Sequence, residues 1–342
     1  TTEQFLRGYF KYAEIEDIYQ ENMTSFLAWV LFAKKFADLN NDELKKVHNK
    51  ADYVCARFEL QLKPGFNPAV EHVCMTYEDI PYVHRPLLLY IISGLYDGIG
   101  SVFYRAVGFR KLRYNGVEYW HHPGMKGDSH TTPGPYEPSS ASRLSQAEGG
   151  STNSEYSVVP HEQTISIESG LKKNPMLLFH GITSGWLTYF TLIRGIGKNR
   201  EIFMIDLDSI KMMSLVFEMP TPDGYCSIVS KILTQHHVET VHVVGHSFGS
   251  ITAGWFARKY PAMVTHMTLL DPVSLLLGLP DVAYSFLYRK PSKFMEYLIY
   301  YFAAMEITVS HALRRHFWWY NNILWIEDLE PHISIVVGLA GN

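Results

Sequence analysis

The feature that most constrains this chain is a serine flanked by glycines, in the run Gly245, His246, Ser247, Phe248 and Gly249. The residues before it are apolar and largely β-branched, and those after it have a helical composition, so a strand, a sharp turn and a helix are predicted. At such a turn the strand and the helix approach so closely that only glycine fits on either side of the serine. The serine hydroxyl is then expected to project above the sheet, at a helix amino end that favours negative charge. A tight turn without chemistry is the alternative.

Composition indicates a globular protein and excludes several classes of function. The 342 residues are 47% hydrophobic and 19% charged, which is enough for a large core. A net charge of -4 provides no basic field, so no nucleic-acid partner is expected. Cys55, Cys74 and Cys226 lie far apart without ligand spacing, so neither a disulfide framework nor a zinc site is predicted. We expect a reduced, intracellular setting, no metal and no cofactor.

The chain divides into four predicted parts. Residues 1–108 read as a helical extension, and residues 109–122 as a β-hairpin with an Asn-Gly turn. Residues 123–173 are rich in Pro, Gly, Ser and Thr, which predicts a disordered insertion. Residues 174–342 alternate short apolar runs with helices, which predicts a doubly wound, mostly parallel sheet.

Two apolar stretches, at 26–33 and 86–96, resemble membrane spans. Each is shorter than the roughly 20 apolar residues that a span needs, and Asp97 is expected to end the second. Buried helices are predicted for both, with helices on a membrane surface as the alternative. The chain begins with Thr1 and has no signal-peptide pattern, so it is expected to be a fragment.

Four polar residues follow predicted buried strands: His180, Asp206, Ser247 and Asp271. In parallel sheets of this kind, chemistry gathers at the carboxyl ends of the strands. These four side chains are therefore expected at one edge of the sheet. His180 is expected to be structural, bonding to loop backbone groups.

The serine turn, together with the pair His180 and Gly181 after the first strand of this part, resembles the α/β-hydrolase superfamily of the AB hydrolase-1 type. The resemblance implies that Ser247 is a nucleophile and that the backbone N–H groups of Ile182 and Phe248 form the oxyanion hole. The segments at 84–88, 271–273, 279–284 and 317–329 resemble a poorly characterised family of large eukaryotic α/β-hydrolase-domain proteins. That likeness leaves the substrate open.

A serine hydrolase of this superfamily also needs an acid and then a histidine, in that chain order. The resemblance implies an acid after the strand predicted at 333–337 and a histidine beyond it, so both are expected after Asn342. The alternative is an internal triad that combines Ser247 and Asp271 with one histidine; the candidates are His311, His316 and His332. The pair His266 and Asp271 has the spacing of an acyltransferase signature, but residues five apart on a strand point to opposite faces.

The segment 274–330 is predicted to form a helical lid between two core strands. It is rich in Tyr, Phe and Trp. Packing accounts for about half of these side chains, and the others are expected to line an acyl-sized pocket or to touch a membrane surface.

The predicted function is a serine esterase acting on a small, apolar, lipid-like carboxylic ester. Serine rather than aspartate at Ser247 argues against an epoxide or haloalkane hydrolase, which need a carboxylate nucleophile. The alternative is a non-catalytic α/β-hydrolase domain that binds lipid or a protein partner.

Overall fold

The computed structural model describes residues 2–124 and 173–340. Its strands form one sheet in the order β1-β2-β4-β3-β5-β6-β7, in which β2 is antiparallel to both neighbours and all other pairs are parallel. The strands are β1 Arg110–Tyr114, β2 Val117–His122, β3 Met176–Phe179, β4 Ile202–Ile205, β5 Val241–His246, β6 Val264–Leu270 and β7 Ser334–Gly338. The predicted doubly wound, mostly parallel sheet is confirmed. Nearly all of the predicted disordered insertion lies outside the described residues.

The burial of the strands explains why their sequences are continuously apolar. Every residue of β3 and β4 is buried, because helices cover both faces of the central sheet. The predicted hairpin is confirmed: Asn115 and Gly116 join β1 to β2 with φ angles of 44° and 85°. Two consecutive positive φ angles are what the primed two-residue turn requires.

Helices pack on both faces of the sheet and over the carboxyl ends of its strands. They are α1 Thr2–Tyr9, α2 Gln20–Phe32, α3 Asn41–Arg57, α4 Leu87–Ala106, α5 Phe190–Ile196, α6 Pro222–Gln235, α7 Gly249–Lys259, α8 Pro280–Ala283, α9 Phe294–Ile299, α10 Ile307–His316 and α11 Trp319–Asn322. Helix α3 begins with a capping box, since the Asn40 side chain accepts from the Glu43 N–H and the Glu43 carboxylate accepts from the Asn40 N–H.

Helical spacing of apolar residues begins at Ile15, but helix α2 begins later. Residues 15–17 form a separate 3₁₀ turn, and the helix begins at Gln20. The reason is tertiary: the Gln20 N–H donates to the Lys63 carbonyl at 2.9 Å, and the Glu21 N–H donates to the Gly65 carbonyl at 3.0 Å. A loop distant in sequence therefore satisfies amides that open the helix.

The first half of the first apolar stretch, residues 26–29, is buried in α2 as predicted, although Leu31 is 41% exposed; both predictions for the second stretch were wrong. Helix α4 continues through Asp97 for 20 residues, and only 11% of its most apolar window is buried. Asp97 does not end the helix because its carboxylate faces the protein beside Gly185, where a Cβ would lie 3.0 Å from Oδ1. By length and composition alone, α4 is the one helix among the described residues that could cross a membrane.

The amino-terminal helices pack against the predicted lid. The Tyr9 hydroxyl donates to the Gly278 carbonyl at 2.7 Å, and the rings of Trp29 and Trp318 meet edge to face at 5.3 Å. Beneath them, the buried Arg314 guanidinium bonds the Glu78 carboxylate at 2.8 Å. Because these contacts join residues more than 200 positions apart, the two helical segments form one layer over the sheet.

Candidate active site

Ser247 lies on a strained turn between β5 and α7. Its φ is 51°, and its N–H donates to the Leu270 carbonyl on β6 at 2.9 Å. A Cβ on Gly249 would lie 2.1 Å from the Phe179 carbonyl oxygen, and one on Gly245 would lie 2.7 Å from the Gly249 carbonyl oxygen. Only glycine fits at either position, because the backbones of β3, β5 and α7 meet there. This is the close approach that the sequence predicted.

The two predicted oxyanion donors lie beside the serine. Ile182, Ser247 and Phe248 line one cavity of about 350 Å³. In the part of the chain that the structure describes, neither the Ile182 N–H nor the Phe248 N–H donates to a protein acceptor. Phe248 immediately precedes α7, so its N–H belongs to the positive end of that helix. The serine and two residues whose N–H groups have no protein acceptor therefore line the same cavity.

A hydrogen-bonded chain joins the β3 loop to the serine turn. The Gly181 N–H donates to the Tyr189 hydroxyl at 2.7 Å, and that hydroxyl is 2.8 Å from Nδ1 of His246. The Tyr189 hydroxyl therefore bridges the Gly181 N–H and Nδ1 of His246, and it engages that imidazole nitrogen. Burial lowers the pKa of His246, an effect that Asp271 partly opposes. Sequence reasoning missed Tyr189, which carries no motif of its own.

His180 bonds only backbone groups. Its Nδ1 is 2.7 Å from the Gly181 carbonyl oxygen, and its Nε2 accepts from the Leu207 N–H at 3.0 Å. Burial lowers its pKa to about 3. A neutral imidazole with both nitrogens engaged stabilises the loops after β3 and β4, and it has no nitrogen available as a base.

Asp206 is engaged in the same loops. Its carboxylate accepts from the Trp186 indole N–H at 2.6 Å and from the Lys211 ammonium at 2.7 Å. Burial raises the pKa of Asp206, and Lys211 opposes that rise. Trp186 and Lys211 were not singled out from the sequence, because nothing in their spacing indicates that they meet.

Asp271 is at the carboxyl end of β6, as predicted. Its φ is 43°, and its carboxylate accepts from the Ala340 N–H at 2.6 Å, just beyond β7. Asp271 and His246 line a second cavity of about 520 Å³, which Ile182 also borders. The carboxylate therefore lies in a cleft next to the serine turn.

The structure does not assemble the internal triad among the described residues. No histidine there hydrogen-bonds to the Ser247 hydroxyl or to Asp271. The ring of His311 packs on His316 and on Phe217. Nε2 of His332 is 3.2 Å from the Pro261 carbonyl oxygen, before β6 begins and thus at the opposite end of the sheet. His266 is exposed and makes its side-chain contact with Thr265.

The cavity above Ser247 is apolar and is closed mainly by the predicted lid. Its walls include Val273, Phe286, Leu287, Leu313 and Phe317. The charged groups that reach it are Arg289 and Glu296, which pair at 3.4 Å. Such a site suits an apolar ligand with one polar group directed at the serine.

Within the described ranges, one cluster has metal-ligand chemistry. His121, Glu201 and His236 place ligand atoms within 4.8 Å of one another. His121 already bonds Glu201 at 2.8 Å, and His236 bonds the Tyr119 hydroxyl at 3.1 Å. Glu201 precedes β4, so the cluster is at the end of the sheet away from Ser247. The absence of a metal at the serine site stays a prediction.

The mostly parallel sheet, with a serine on a strained turn between β5 and the next helix, defines a doubly wound α/β domain. Residues 174–323 match the family model described as the α/β hydrolase fold, and this part of the chain has that fold. The superfamily suggests a small-molecule substrate. No curated protein matches the chain in sequence.

Several solved structures resemble the chain weakly. Cfl2 from Burkholderia cenocepacia is 14% identical with a TM-score of 0.29, and the match covers 48% of this chain and 41% of that one. A probable hydrolytic enzyme from Pseudomonas aeruginosa PAO1 is 12% identical with a TM-score of 0.38, covering 67% and 72%. A bacterial membrane phospholipase A is 13% identical with a TM-score of 0.35, covering 74% and 88%. At these values the resemblances carry no information on activity.

Proposed function

We propose that this protein is a serine hydrolase of carboxylic esters with an apolar acyl or alcohol part. The observation that carries the proposal is the shared cavity: the Ser247 hydroxyl and the free N–H groups of Ile182 and Phe248 border one apolar space. A serine hydroxyl in one cavity with two N–H donors that lack a protein acceptor is the arrangement that acyl transfer needs.

In the proposed reaction, the Ser247 oxygen attacks the ester carbonyl carbon. The carbonyl oxygen becomes an oxyanion that accepts from the N–H groups of Ile182 and Phe248. The alcohol then leaves with a proton, and water hydrolyses the acyl-enzyme to release the acid. The apolar walls hold the hydrocarbon part, and a volume of 350 Å³ suits a small ligand.

The reaction also needs a general base. Both nitrogens of His180 are engaged by backbone groups, Nδ1 of His246 is engaged by the Tyr189 hydroxyl, and neither histidine hydrogen-bonds to the Ser247 hydroxyl. Residues outside 2–124 and 173–340 would therefore supply the base. Asp271 stays a candidate for the acid, since its carboxylate borders the cleft beside the serine turn.

A fluorophosphonate probe tests the proposal on the full-length protein. We expect labelling that is lost in Ser247→Ala and kept in Ser285→Ala, which removes another hydroxyl on the same cavity. Turnover of an apolar ester should fall by about 10³-fold or more in Ser247→Ala, with thermal stability nearly unchanged.

The competing function is a non-catalytic domain that binds lipid or a protein partner through the same cavity and lid. A folded full-length sample that resists the probe and turns over no ester would favour this binder. Labelling that survives in Ser247→Ala would exclude Ser247 as the nucleophile.

A further inference from the structure

Helix α4 exposes an apolar face along its whole length. Leu87, Leu95 and Val102 are 74%, 61% and 68% exposed, and Leu88 and Ile99 are similarly open. At 3.6 residues per turn, the exposed positions cover roughly half of the helix circumference and extend for about 30 Å. Exposed apolar patches of this extent mark an interaction surface.

The opposite half of α4 holds the helix against the α/β domain. The Tyr104 hydroxyl donates to the Trp186 carbonyl at 2.9 Å, and the Phe103 ring packs on Phe190 at 4.7 Å. Asp97 also faces this side, beside Gly185. The exposed half therefore has no acidic group. A helix fixed in this way presents one side to its surroundings and keeps the other on the protein.

The start of α4 adjoins the lid. The Val83 N–H donates to the Met305 carbonyl at 3.0 Å, and the Arg85 guanidinium stacks on the Tyr301 ring at 3.8 Å. The neighbouring lid segment, residues 294–302, exposes several large apolar and aromatic side chains, among them Phe294, Met295, Tyr297 and Phe302.

This lid segment also borders the cavity that contains Ser247. Glu296, Ile299 and Tyr300 line that cavity and lie among the exposed apolar residues, and Ile299 belongs to both sets because it is also 51% exposed. The exposed lysines Lys290 and Lys293 lie just before the segment. The lid thus places apolar, aromatic and basic groups beside one cavity.

We propose that α4 and the lid segment 294–302 form a membrane-contact surface, on which α4 lies in the plane of a lipid bilayer. The occupant is a lipid surface, because an apolar helical face without acidic groups, with aromatic neighbours and with exposed basic residues at Arg105, Lys290 and Lys293, matches an apolar interior beneath anionic headgroups. This contact opens the serine cavity toward lipid. Delivery of a lipid ester to Ser247 rests on the proposed function, whereas the contact itself does not.

Vesicle flotation tests the surface on the full-length protein. With phosphatidylcholine vesicles containing phosphatidylserine, we expect the protein to float. The double variant Leu95→Glu, Ile99→Glu should lose at least about tenfold in binding, since buried apolar groups provide most interfacial affinity. Tyr53→Glu, at a residue of α3 that is 59% exposed, is the matched control and should bind normally. Melting curves verify that each variant is folded.

Three results of the flotation experiment would contradict the proposed membrane-contact surface. They are failure of the unmodified protein to float, equal binding by the double variant, and resistance of the bound protein to alkaline carbonate, which would indicate a spanning helix. Protection of Leu95 from hydroxyl radicals without vesicles would also overturn it, because another copy or another part of the chain would then cover α4. Light scattering identifies a second copy.

A separate pair of measurements distinguishes this surface from the proposed activity. Ser247→Ala should float like the unmodified protein. The double variant should hydrolyse a soluble short-chain ester at the normal rate, and an ester embedded in vesicles at least about tenfold more slowly, in line with its lost binding. Normal flotation without any hydrolysis would reject the activity alone, whereas normal hydrolysis of the embedded ester by the double variant would reject the contact surface.

Discussion

The floor and the walls of the serine cavity are built in different ways. The floor consists of backbone groups and glycines in close contact, such as Gly249 against the Phe179 carbonyl. The walls consist mainly of apolar side chains from the predicted lid, such as Phe286 and Leu313. A close contact between backbone atoms leaves no space for an added side-chain atom, whereas apolar side chains of similar volume replace one another with little loss of stability. The floor should therefore be intolerant of change, and the walls should set the choice of substrate.

The largest effect is expected at Gly249. In Gly249→Ala the new Cβ would lie 2.1 Å from the Phe179 carbonyl oxygen, so β3 and α7 must separate. We expect a loss of more than about 3 kcal/mol in the free energy of unfolding, or failure to fold. Denaturant titration measures it. The matched control is Gly98→Ala, where a Cβ meets no atom within 4 Å, and its stability should be unchanged or higher.

Wild-type stability in Gly249→Ala would show that the floor tolerates change and would remove the contrast with the walls. Instability of both glycine variants would point to helix effects instead of the contact at Phe179.

The sequence predicted the floor better than its surroundings. Ser247, its flanking glycines and the hairpin turn at Asn115 follow from local backbone requirements, which a short run of residues displays. The Tyr189 bridge to His246 and the ion pair of Lys211 with Asp206 depend on contacts between separate loops. No spacing within a single segment encodes such contacts.

The exposure of α4 was mispredicted for a related reason. Its apolar pattern over residues 86–96 is as suitable for a core as for a membrane surface, and only the packing of its other half decides between them. The sequence likewise gave no sign that Asp97 would turn toward Gly185 and let the helix continue.

A smaller effect is expected from the walls. Phe286→Ala should enlarge the cavity and shift the preference toward longer acyl chains by about 10-fold to 100-fold in kcat/KM ratio, because one or two methylenes of fit are worth roughly 1–3 kcal/mol. Ratios of kcat/KM across soluble esters of increasing chain length measure this shift. Phe302→Ala, on the lid but outside the cavity lining, should leave the preference unchanged. An unchanged preference in Phe286→Ala would reject the lid as the element that selects substrate.

The pH dependence of the free energy of unfolding tests whether His180, in the loop beside the cavity floor, is buried and neutral. Burial lowers its pKa to about 3 in the folded protein, so as pH falls below the ordinary histidine value the unfolded chain binds a proton that the folded chain does not. The stability that the neutral His180 imidazole contributes is therefore complete above about pH 6.5. As pH falls toward 3, the free energy of unfolding decreases by up to about 1.4 kcal/mol per pH unit on its account.

Replacing the histidine should remove that share of the acid sensitivity. We expect His180→Asn to be less stable at neutral pH but to show a shallower loss of stability between pH 6 and pH 4, as about one proton fewer is taken up on unfolding. The control is Thr183→Ala, which perturbs the same loop through its bonds to Gly185 without removing a titratable group. Parallel pH profiles for His180→Asn and the unmodified protein would contradict the buried, neutral imidazole.

The smallest effect is expected at Tyr189, whose single hydroxyl joins the loop after β3 to the serine turn. Tyr189→Phe removes both the acceptor for the Gly181 N–H and the hydrogen-bond partner of His246 Nδ1. We expect the free energy of unfolding to fall by about 1 kcal/mol, because the Gly181 N–H and the His246 Nδ1 both lose the hydroxyl as a hydrogen-bond partner and water replaces it only in part. Since Gly181 precedes Ile182, the loosened loop should misplace one oxyanion donor, and kcat should fall by a few-fold with KM nearly unchanged.

Steady-state kinetics on a soluble ester separate the two constants. Tyr260→Phe, whose hydroxyl bonds Ser227 at 3.3 Å away from the cavity, should leave both unchanged. An increase in KM alone would place Tyr189 in substrate binding and not in the positioning of the Ile182 N–H.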